Sequence, residues 1–447
     1  MRDVLFGLLW VVLLPLAFCS PHTGVLIWIW VALLSPNDLL YGSLGIVPFN
    51  KLVAVAALLA LGLSFQQKKK FYLDGLLVLI GLYVVVVFLS WVTQEEAFDY
   101  SDILFDKLWK ICVLTILITG IMWSRHRLHQ AVLAFAAGFA FLMVKEGLIF
   151  LFTAGGHKVL GTPSVGDNNS LALAILMTIP MALYAARYSA VPWVQWTFRA
   201  VACLGVVTVV ATFSRGGFIG LVVMGFMLAG GSKHKVKTVL ALAAVGALLY
   251  FVAPHDYVER LDTIKQASED DSFTIRLVAW KINFLIARDH PFLGGGLAAS
   301  LRGTEWSRHL TESTTFLFPT PAINTTYVAH SIYFQVLGDT GFTGLFIFLS
   351  ILGTAYFLAR RTIRIGRGDP ALAWAADLGR ALQISLIVYM VSGAALSNVY
   401  FEPLFILLAL ISRTYRTTKE LSTAPAPSRL TSSPTPARLQ PAYRGAF

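Results

Sequence analysis

The sequence has little charge and little cysteine, and both shortages narrow the class of protein. Of its 447 residues, 13% are charged and 57% are hydrophobic, whereas soluble domains average about 25% charged. This composition excludes an ordinary soluble domain and indicates a polytopic membrane protein. Because Cys19, Cys112 and Cys203 lie far apart in apolar segments, neither a disulfide framework nor a cysteine-based metal site is expected.

A nucleic-acid signature is also missing, although the net charge of +11 would suggest nucleic-acid binding in a soluble chain. In a membrane protein, an excess of Lys and Arg is explained by positive charge retained on cytoplasmic loops. The expected surroundings are therefore membrane lipids, and no nucleic-acid partner is expected.

Hydrophobic runs fill most of the chain. Crossing roughly 30 Å of hydrocarbon takes about 20 apolar residues, and eleven runs reach or approach this length. They lie at 51–65, 74–92, 103–122, 130–153, 168–187, 194–213, 216–230, 236–254, 341–359, 381–396 and 402–412. Two shorter runs, 4–18 and 24–35, flank Ser20-Pro21 and are expected to cross once in total, as a broken or partly re-entrant helix. The sequence thus predicts an all-α polytopic membrane protein with about twelve transmembrane helices.

The first 35 residues leave two other arrangements open. Two full crossings would put Met1 on the non-cytoplasmic side. A cleaved signal peptide is disfavoured because bulky Phe18 and nearby Pro21 spoil a small-residue cleavage site.

Lysine and arginine clusters set the orientation. If the spans alternate, four clusters share one side, which the positive-inside rule assigns to the cytoplasm; they are Lys68 to Lys70, Arg125 with Arg127, Lys233 with Lys235, and Arg360 to Arg367. The acidic loop 95–102 and a polar insertion face the other side. The expected organisation is transmembrane helices at 1–252, a mainly helical insertion outside the cytoplasm at 253–329, further transmembrane helices at 330–412, and a disordered cytoplasmic tail at 413–447.

Arg215 lies between two apolar runs, on the side where the orientation rule disfavours arginine. It could simply extend toward lipid head groups. The adjacent Gly216 and Gly217 favour another interpretation, since they allow close backbone approach and open a helix whose N-terminal amides attract anions. A guanidinium beside such a helix end suits a phosphate group.

A second arginine, Arg276, lies in a segment whose apolar residues recur at helical spacing, which predicts an amphipathic helix at the membrane surface. These residues are Phe273, Leu277, Trp280, Phe284 and Leu285. Arg276 and Trp280 are one turn apart, so they could serve a lipid-linked phosphate or sugar; a solvated charge is the alternative. The helix is expected to end near Asp289, before a turn at 294–296, and Arg288 is a reserve candidate.

His330 follows a polar stretch at the start of another apolar region. A histidine at a membrane boundary is often structural, but its reference pKa of about 6.5 suits general-base work on a hydroxyl. Downstream, Asp339 could orient the site or cap the following helix. Lys145 and Glu146 form either a charge pair within the bundle or a contribution to the same site.

These residues belong to ordered motifs that resemble the O-antigen ligase and polymerase superfamily. The resemblance covers about 160–412, and the N-terminal part, especially from Ser35-Pro36-Asn37 onward, resembles the branch that includes O-glycosylation ligases. The motifs of the main part are Gly166-Asp167-Asn168-Asn169, Ser214-Arg215-Gly216-Gly217, Arg276 with Trp280, Asp289 to Gly296, and His330 to Gly341.

The resemblance implies a GT-C-like fold and an inverting, metal-independent glycosyltransferase of the bacterial inner membrane. It would take a glycan from undecaprenyl diphosphate and join it to a hydroxyl of lipid A-core on the periplasmic face. Arg215 and Arg276 match the family's donor-diphosphate arginines and His330 its catalytic histidine. Ser331 and Asp339 stand where Asn and Glu are more usual, which affects fine positioning. Further candidates are Arg288, Lys145, Asn168, Asn169, Trp280, Tyr333, Gln335 and Asp339.

Three alternatives remain open. A polymerase would extend another lipid-linked glycan, a protein O-glycosylation ligase would modify Ser or Thr, and a lipid-linked glycan transporter would use the insertion as a gate. The sequence contains no internal repeat of the kind common in transporters. No cofactor is expected. The run Glu269-Asp270-Asp271 is interpreted as a solvated acidic turn and not as a metal site.

Overall fold

The chain is almost entirely helical in the computed structural model, which describes residues 2–64, 72–231 and 271–424. The helices of these regions are α1 (Arg2–Cys19), α2 (Pro21–Leu34), α3 (Gly42–Gly45), α4 (Phe49–Leu63), α5 (Gly75–Val92), α6 (Asp99–Ile121), α7 (Arg125–Phe152), α8 (Asn168–Tyr188), α9 (Pro192–Ala211), α10 (Arg215–Gly231), α11 (Asp271–Asp289), α12 (Gly303–Thr315), α13 (Ile332–Gly368), α14 (Ala373–Ser392) and α15 (Glu402–Thr423). Short 3₁₀ turns lie at Pro36–Asp38, Ala299–Leu301, Pro370–Leu372 and Gly393–Ala395. A two-stranded antiparallel hairpin, β1 (Gly161–Thr162) and β2 (Gly166–Asp167), precedes α8.

Six of the described helical segments are long and apolar enough to cross a membrane. They are Gly75–Val92, Arg125–Phe152, Asn168–Tyr188, Pro192–Ala211, Ile332–Gly368 and Pro370–Ala395. Each overlaps one of the predicted runs, so the expectation of an all-α membrane protein is confirmed. The total of twelve spans and the GT-C assignment stay predictions, and the predicted run 236–254 lies outside the described residues.

Helix α8 forms the centre of the bundle. In its apolar window, 89% of the residues are buried, compared with 33–61% in the other five candidate spans. It packs against α7, α9, α10 and α14. Because other helices surround α8, its N-terminus is held in place, and the neighbouring loops pack around it.

The N-terminal pair is broken as expected. Ser20 separates α1 from α2, and Pro21 occupies the first turn of α2, where its missing N–H costs no helical hydrogen bond. Gly24 lies against α4, since a Cβ added there would meet Ala57 Cβ at 2.9 Å. A single crossing by this pair stays a prediction.

Helix α13 is interrupted at Gly341, whose φ of 67° and ψ of −169° are not helical. The Phe342 N–H donates to the Pro291 carbonyl at 2.9 Å, and the Gly295 N–H donates to the Gly338 carbonyl at 2.9 Å. The two glycine-containing motifs therefore pack on each other, and the predicted turn after Asp289 is confirmed. Gly294, with φ +68°, sits so close to Thr340 that a side chain would collide with the backbone.

The described part of the insertion has its own small core around α11 and α12. Its buried members are Val278, Ala279, Ile282, Ile286, Ala299 and Trp306. Lys281 is buried beside this core, where its ammonium donates to the Ser313 carbonyl at 3.2 Å and the Thr320 hydroxyl at 3.1 Å. This ammonium therefore joins α11 to the end of α12 and the loop beyond it.

The expected disordered tail is wrong at its beginning. Helix α15 continues to Thr423 instead of ending near 412. Arg413 is buried and donates to the Trp123 carbonyl at 3.3 Å, while Arg416 and Glu420 form an i,i+4 pair at 2.8 Å. The helix continues through this polar segment because these contacts give its charged side chains partners. Residues 425–447 lie outside the described residues.

Candidate functional site

Several helix ends meet at one end of the bundle. Helices α8, α10, α13 and α15 begin there, and α9 and α14 end there. The segments brought together are the start of α8, the α9–α10 connection, residues 329–331 and the α14–α15 connection. Three of the four carry residues that the sequence singles out.

The α9–α10 connection holds Arg215 at the first turn of α10. Buried Ser214 caps this helix, since its hydroxyl accepts the Gly217 N–H at 2.9 Å. The Asn168 side chain donates to the Thr212 carbonyl at 2.8 Å, which ties the connection to the start of α8. Arg215 is half-buried. Its guanidinium therefore projects from a helix N-terminus that two other segments fix in place.

The role of Gly217 differs from the expected one, in which its backbone amide would face an anion. Its amide is already used by Ser214, and a Cβ added at Gly217 would lie 2.9 Å from Ala172 Cβ. The expectation that this amide holds an anion is therefore wrong; the glycine allows α10 to approach α8. Gly216 accepts a hydrogen bond from Ser392 at 3.1 Å through its carbonyl, so α14 also anchors this turn.

His330 lies half-buried just before α13. Its φ of 47° is left-handed, and its backbone N–H donates to the Ser397 hydroxyl at 2.7 Å. Burial lowers the pKa of the imidazole, the positive charge of Arg276 lowers this pKa further, and the negative charge of Asp167 opposes both effects. His330, Arg276 and Asp167 therefore lie within electrostatic reach of one another. A lowered pKa keeps the imidazole neutral and able to accept a proton near neutral pH.

Asp167 is a site residue that the sequence reasoning missed. Its carboxylate caps α8 by accepting the Ser170 N–H at 2.8 Å, and it also accepts the Asn169 amide at 2.9 Å. Burial raises the pKa of Asp167, but these hydrogen bonds and the nearby His330 outweigh burial and lower it. The aspartate is therefore charged. Its position before a long apolar run predicts a helix cap, but it does not indicate that Asp167 lies near His330.

The α14–α15 connection is the second missed element. The Ser170 hydroxyl donates to the Asn398 side-chain oxygen at 3.3 Å, and the Val399 N–H donates to the Gln335 side-chain oxygen at 3.3 Å. The Tyr333 hydroxyl donates to the Met390 carbonyl at 2.9 Å. Gln335 thus holds this connection against α13, Tyr333 holds the last turn of α14 against the same helix, and Ser397 holds His330.

Arg276 and Trp280 lie on α11 as expected, but the predicted apolar stripe is only in part the buried face. Of its five members, Leu285 is fully buried, Phe273 is 39% exposed and the other three are partly buried. The other deeply buried apolar positions are Val278, Ala279, Ile282 and Ile286. The Trp280 ring stacks on Phe334 of α13 with centroids 5.2 Å apart and planes 6° apart. Trp280 therefore faces another protein segment, because α11 packs on α13 as well as on α12.

Arg288 does not join this group. It lies twelve residues after Arg276 on the same helix, which is about 18 Å along the axis. Its exposed guanidinium pairs with Asp289 at 2.9 Å and with Glu312 at 2.9 Å. Arg288 therefore stabilises the insertion.

Lys145 forms a charge pair, the first of its two expected interpretations. Its ammonium lies 2.7 Å from Glu146, whose other oxygen lies 2.6 Å from His157.

Asp339 neither caps a helix nor hydrogen-bonds to His330 among the described residues. It lies inside α13, fully buried, where it accepts the Tyr400 hydroxyl at 3.1 Å and the backbone amides of Ala298 and Ala299. The capping alternative is wrong because these partners of the carboxylate all lie outside the helix that continues after the kink at Gly341. Asp339 joins the insertion to the bundle.

One group of metal-ligand types also forms across three segments. Ligand atoms of Glu95, His290 and Glu305 lie within 4.8 Å of one another. Arg308 already donates to Glu95 at 2.9 Å and to Glu305 at 2.9 Å. The sequence could not reveal this group because its members are far apart in the chain. Glu269 and Asp270 lie outside the described residues.

Comparison with known families agrees with the sequence motifs. Residues 200–349 match the family model described as O-antigen ligase, and residues 1–190 match a family of unknown function. No curated protein matches the chain. The O-antigen ligase match is shorter than the expected 160–412, but it contains Arg215, Arg276 and His330, and it confirms the resemblance to that superfamily.

Proposed function

We propose that this chain, a member of the O-antigen ligase superfamily through residues 200–349, transfers a glycan from undecaprenyl diphosphate to a hydroxyl of lipid A-core. The reaction is metal-independent, inverts the anomeric carbon and takes place at the periplasmic face of the bacterial inner membrane. The observation that carries the proposal is the electrostatic grouping of His330 with Arg276 and Asp167, at the end of the bundle where Arg215 begins α10.

The leaving group sets the first requirement. As the bond between the sugar and the diphosphate breaks, negative charge develops on the diphosphate, and fixed positive groups stabilise it. Arg215 and Arg276 supply two guanidinium groups that can hold phosphate oxygens through paired hydrogen bonds. First-turn amides of α10 add the partial positive charge of a helix N-terminus.

The acceptor sets the second requirement. Its hydroxyl oxygen attacks the anomeric carbon from the side opposite the diphosphate, and its proton passes to the neutral imidazole of His330. The resulting imidazolium lies within electrostatic reach of the Asp167 carboxylate, which stabilises it. The products are the new glycosidic bond and undecaprenyl diphosphate, and the proton leaves His330 to water.

The distribution of basic residues along the bundle supports a periplasmic site. Basic residues such as Arg125, Arg187 and Arg364 occupy the other end of the bundle, the end assigned to the cytoplasm by the positive-inside rule. The site end is then the periplasmic end, where the lipid-linked donor and lipid A-core would meet.

Two other acceptors are compatible with the same donor chemistry. A second lipid-linked glycan would make the protein a polymerase, and a protein hydroxyl would make it an O-glycosylation ligase. The family match favours ligase- or polymerase-type transfer over the transporter alternative. The acceptor is therefore what the experiment must identify.

The test is reconstitution of the purified full-length chain in liposomes with a lipid-linked glycan. Separate reactions receive lipid A-core, a protein acceptor, or a second lipid-linked glycan. We expect glycosylated lipid A-core and released undecaprenyl diphosphate. Product formed only on protein, or only on a second lipid-linked glycan, would change the acceptor that we assign and leave the assigned donor unchanged. No product from any acceptor would overturn glycosyl transfer.

A further inference from the structure

The polar insertion carries an exposed apolar tip, residues 316–318. Phe316, Leu317 and Phe318 directly follow α12, and the Leu317 side chain is 79% exposed. Phe292, in the turn that follows α11, is 75% exposed. Large apolar side chains grouped on a surface and bordered by polar residues mark contacts with a partner or a membrane.

The backbone holds this tip in a tight turn. The Phe318 N–H donates to the Phe316 carbonyl at 2.8 Å, and Leu317 between them has a left-handed φ of 61°. This hydrogen bond and this φ define a γ-turn of the rare, strained kind. The Thr320 N–H closes the loop by donating to the Thr314 carbonyl at 2.9 Å. The fold therefore keeps an exposed leucine at the apex of the turn at a cost in backbone strain.

Lys281 of α11 anchors the loop from its inner side. The Lys281 ammonium donates to the Phe318 carbonyl and lies over the Phe318 ring, 4.0 Å from its centroid. The same ammonium donates to the Ser313 carbonyl and the Thr320 hydroxyl. The base of the loop is therefore fixed to α11, while Leu317 at its apex remains exposed.

An aromatic cluster of Phe284, Phe316 and Phe342 joins the tip to the outside of α13. Phe284 stacks on Phe316 with ring centroids 5.4 Å apart, and it meets Phe342 edge to face with centroids 6.1 Å apart. The Phe342 N–H donates to the carbonyl of Pro291 at 2.9 Å, which places the adjacent Phe292 beside the same turn. The tip and Phe292 therefore both lie next to the turn of α13 that follows its kink.

This side of α13 faces lipid. Phe342, Phe346 and Leu349 are exposed and recur at helical spacing, so they share one face of the helix. They lie in the candidate span Ile332–Gly368, where an exposed apolar face meets acyl chains. Because Phe342 belongs both to this face and to the aromatic cluster, the lipid-facing surface continues onto the tip.

Charged groups border the tip where it leaves α12. The Phe316 N–H donates to the Glu312 carbonyl at 3.0 Å, and the Glu312 carboxylate accepts from Arg288 at 2.9 Å. An apolar tip beside an exposed ion pair suits the boundary at which acyl chains end and lipid head groups begin. The lipid that covers the adjoining face of α13 is therefore the partner that this surface fits.

We propose that residues 316–318 and Phe292 insert into the membrane leaflet at the site end of the bundle, with their side chains among the acyl chains. Insertion removes this apolar surface from water, which favours the strained turn. Phe284 of the aromatic cluster lies on α11, so the contact holds this helix, and with it Arg276, at the membrane surface. The polar insertion is thus seated on the bilayer by a few apolar side chains.

Spin-label accessibility in vesicles of phosphatidylethanolamine and phosphatidylglycerol tests this contact. Single cysteines are introduced for the label into the full-length chain carrying Cys19→Ala, Cys112→Ala and Cys203→Ala. Collisions of each label with two reagents are measured by electron paramagnetic resonance. Molecular oxygen dissolves in hydrocarbon, whereas a water-soluble nickel chelate is excluded from it because its polar groups would lose their hydration.

Four labelled positions are compared. Leu317→Cys and Phe292→Cys report on the proposed contact, and Phe346→Cys on α13 is the lipid reference. Ser307→Cys, an exposed polar position in α12, is the matched control within the insertion. The ratio of oxygen to chelate collisions at Leu317→Cys and Phe292→Cys should approach that at Phe346→Cys and exceed that at Ser307→Cys by about tenfold.

Collisions mainly with the chelate at Leu317→Cys, as at Ser307→Cys, would overturn insertion into the membrane. Protection of Leu317→Cys from both reagents would also overturn it, in favour of a second copy or another protein segment over the tip. If Leu317→Cys fails to fold, Phe292→Cys is judged by the same two outcomes. The measurement uses no glycan donor or acceptor, so this proposal and the proposed transfer fail independently.

Discussion

The backbone amide of His330 donates a hydrogen bond to the hydroxyl of Ser397 at 2.7 Å. This contact holds a histidine whose φ of 47° is uncommon outside glycine. Ser397 lies in the connection between α14 and α15, and Ser392 at the end of α14 binds the carbonyl of Gly216. The direction of the imidazole relative to Arg215 therefore depends on a segment that belongs to neither motif.

Replacing Ser397 tests this dependence. Ser397→Ala removes the acceptor for the His330 amide, and we expect the turnover number for glycan transfer to fall by up to about tenfold, the value of one hydrogen bond. Ser397→Thr keeps a hydroxyl and should restore most of the rate. Initial rates and donor affinity are measured for both variants. Equal rates in Ser397→Ala and the wild type would contradict a role for this connection.

The pH dependence of transfer reports the charges around His330. A general base acts only when it is deprotonated, so the rate should fall as pH drops through the pKa of His330, which lies below its usual value of 6.5. Arg276→Gln removes a positive charge, raises this pKa and should move the acid limb to higher pH. Asp167→Asn removes a negative charge, lowers the pKa and should move the limb to lower pH.

Asparagine is also a good helix cap, so Asp167→Asn keeps the start of α8 intact. The measurement is kcat/KM against pH for the three proteins. Limbs that coincide, or that move in the same direction, would contradict the placement of His330 between these charges.

Packing between α11 and α13 is tested by two glycines of one helix. A Cβ at Gly338 would lie 2.8 Å from Asn283 Cγ, so Gly338→Ala should destabilise the protein by about 1–3 kcal/mol through overpacking. Gly353 has nothing within 4 Å of an added Cβ, so Gly353→Ala should stabilise by up to about 1 kcal/mol. Thermal unfolding in detergent measures both. A fall in Tm for Gly353→Ala equal to that for Gly338→Ala would argue against this packing.

Chelation tests the metal-independent mechanism. Arg215 and Arg276 provide the positive charge on the diphosphate, so EDTA should leave the initial rate of transfer unchanged. The control is Glu305→Gln, which alters the group of Glu95, His290 and Glu305 and leaves Arg215 and Arg276 unchanged. This variant should also keep its initial rate in EDTA. Loss of activity in EDTA that Mg²⁺ or Mn²⁺ restores would contradict the mechanism.

Long-range hydrophobic patterning made the helices predictable. Runs such as 74–92 and 168–187 correspond closely to Gly75–Val92 and Asn168–Tyr188. In a bilayer, an apolar run of that length forms a helix because a helix satisfies its backbone hydrogen bonds internally. The beginning of the tail was not predictable, since the burial of Arg413 depends on a carbonyl at Trp123.

The site was predictable only in part. Arg215 and His330 stand out because charge is rare near apolar runs. Asp167 and Ser397 do not, since an aspartate before a helix and a serine in a turn are common structural residues. Gly217 shows the converse: a glycine that suggested an anion site instead allows α10 to pack on α8. Contacts between distant segments decide these cases.

The most direct measurement compares donor binding and glycan transfer in two variants of the purified protein. It tests whether Arg215 and His330 serve one reaction. Arg215→Ala should weaken binding of the lipid-linked donor by about tenfold or more, and His330→Ala should slow transfer by at least about a hundredfold while donor binding stays intact. Arg199→Ala, an exposed arginine in the first half of α9, away from the site, should behave as the wild type does. Nearly wild-type binding and transfer in both Arg215→Ala and His330→Ala would contradict a shared site.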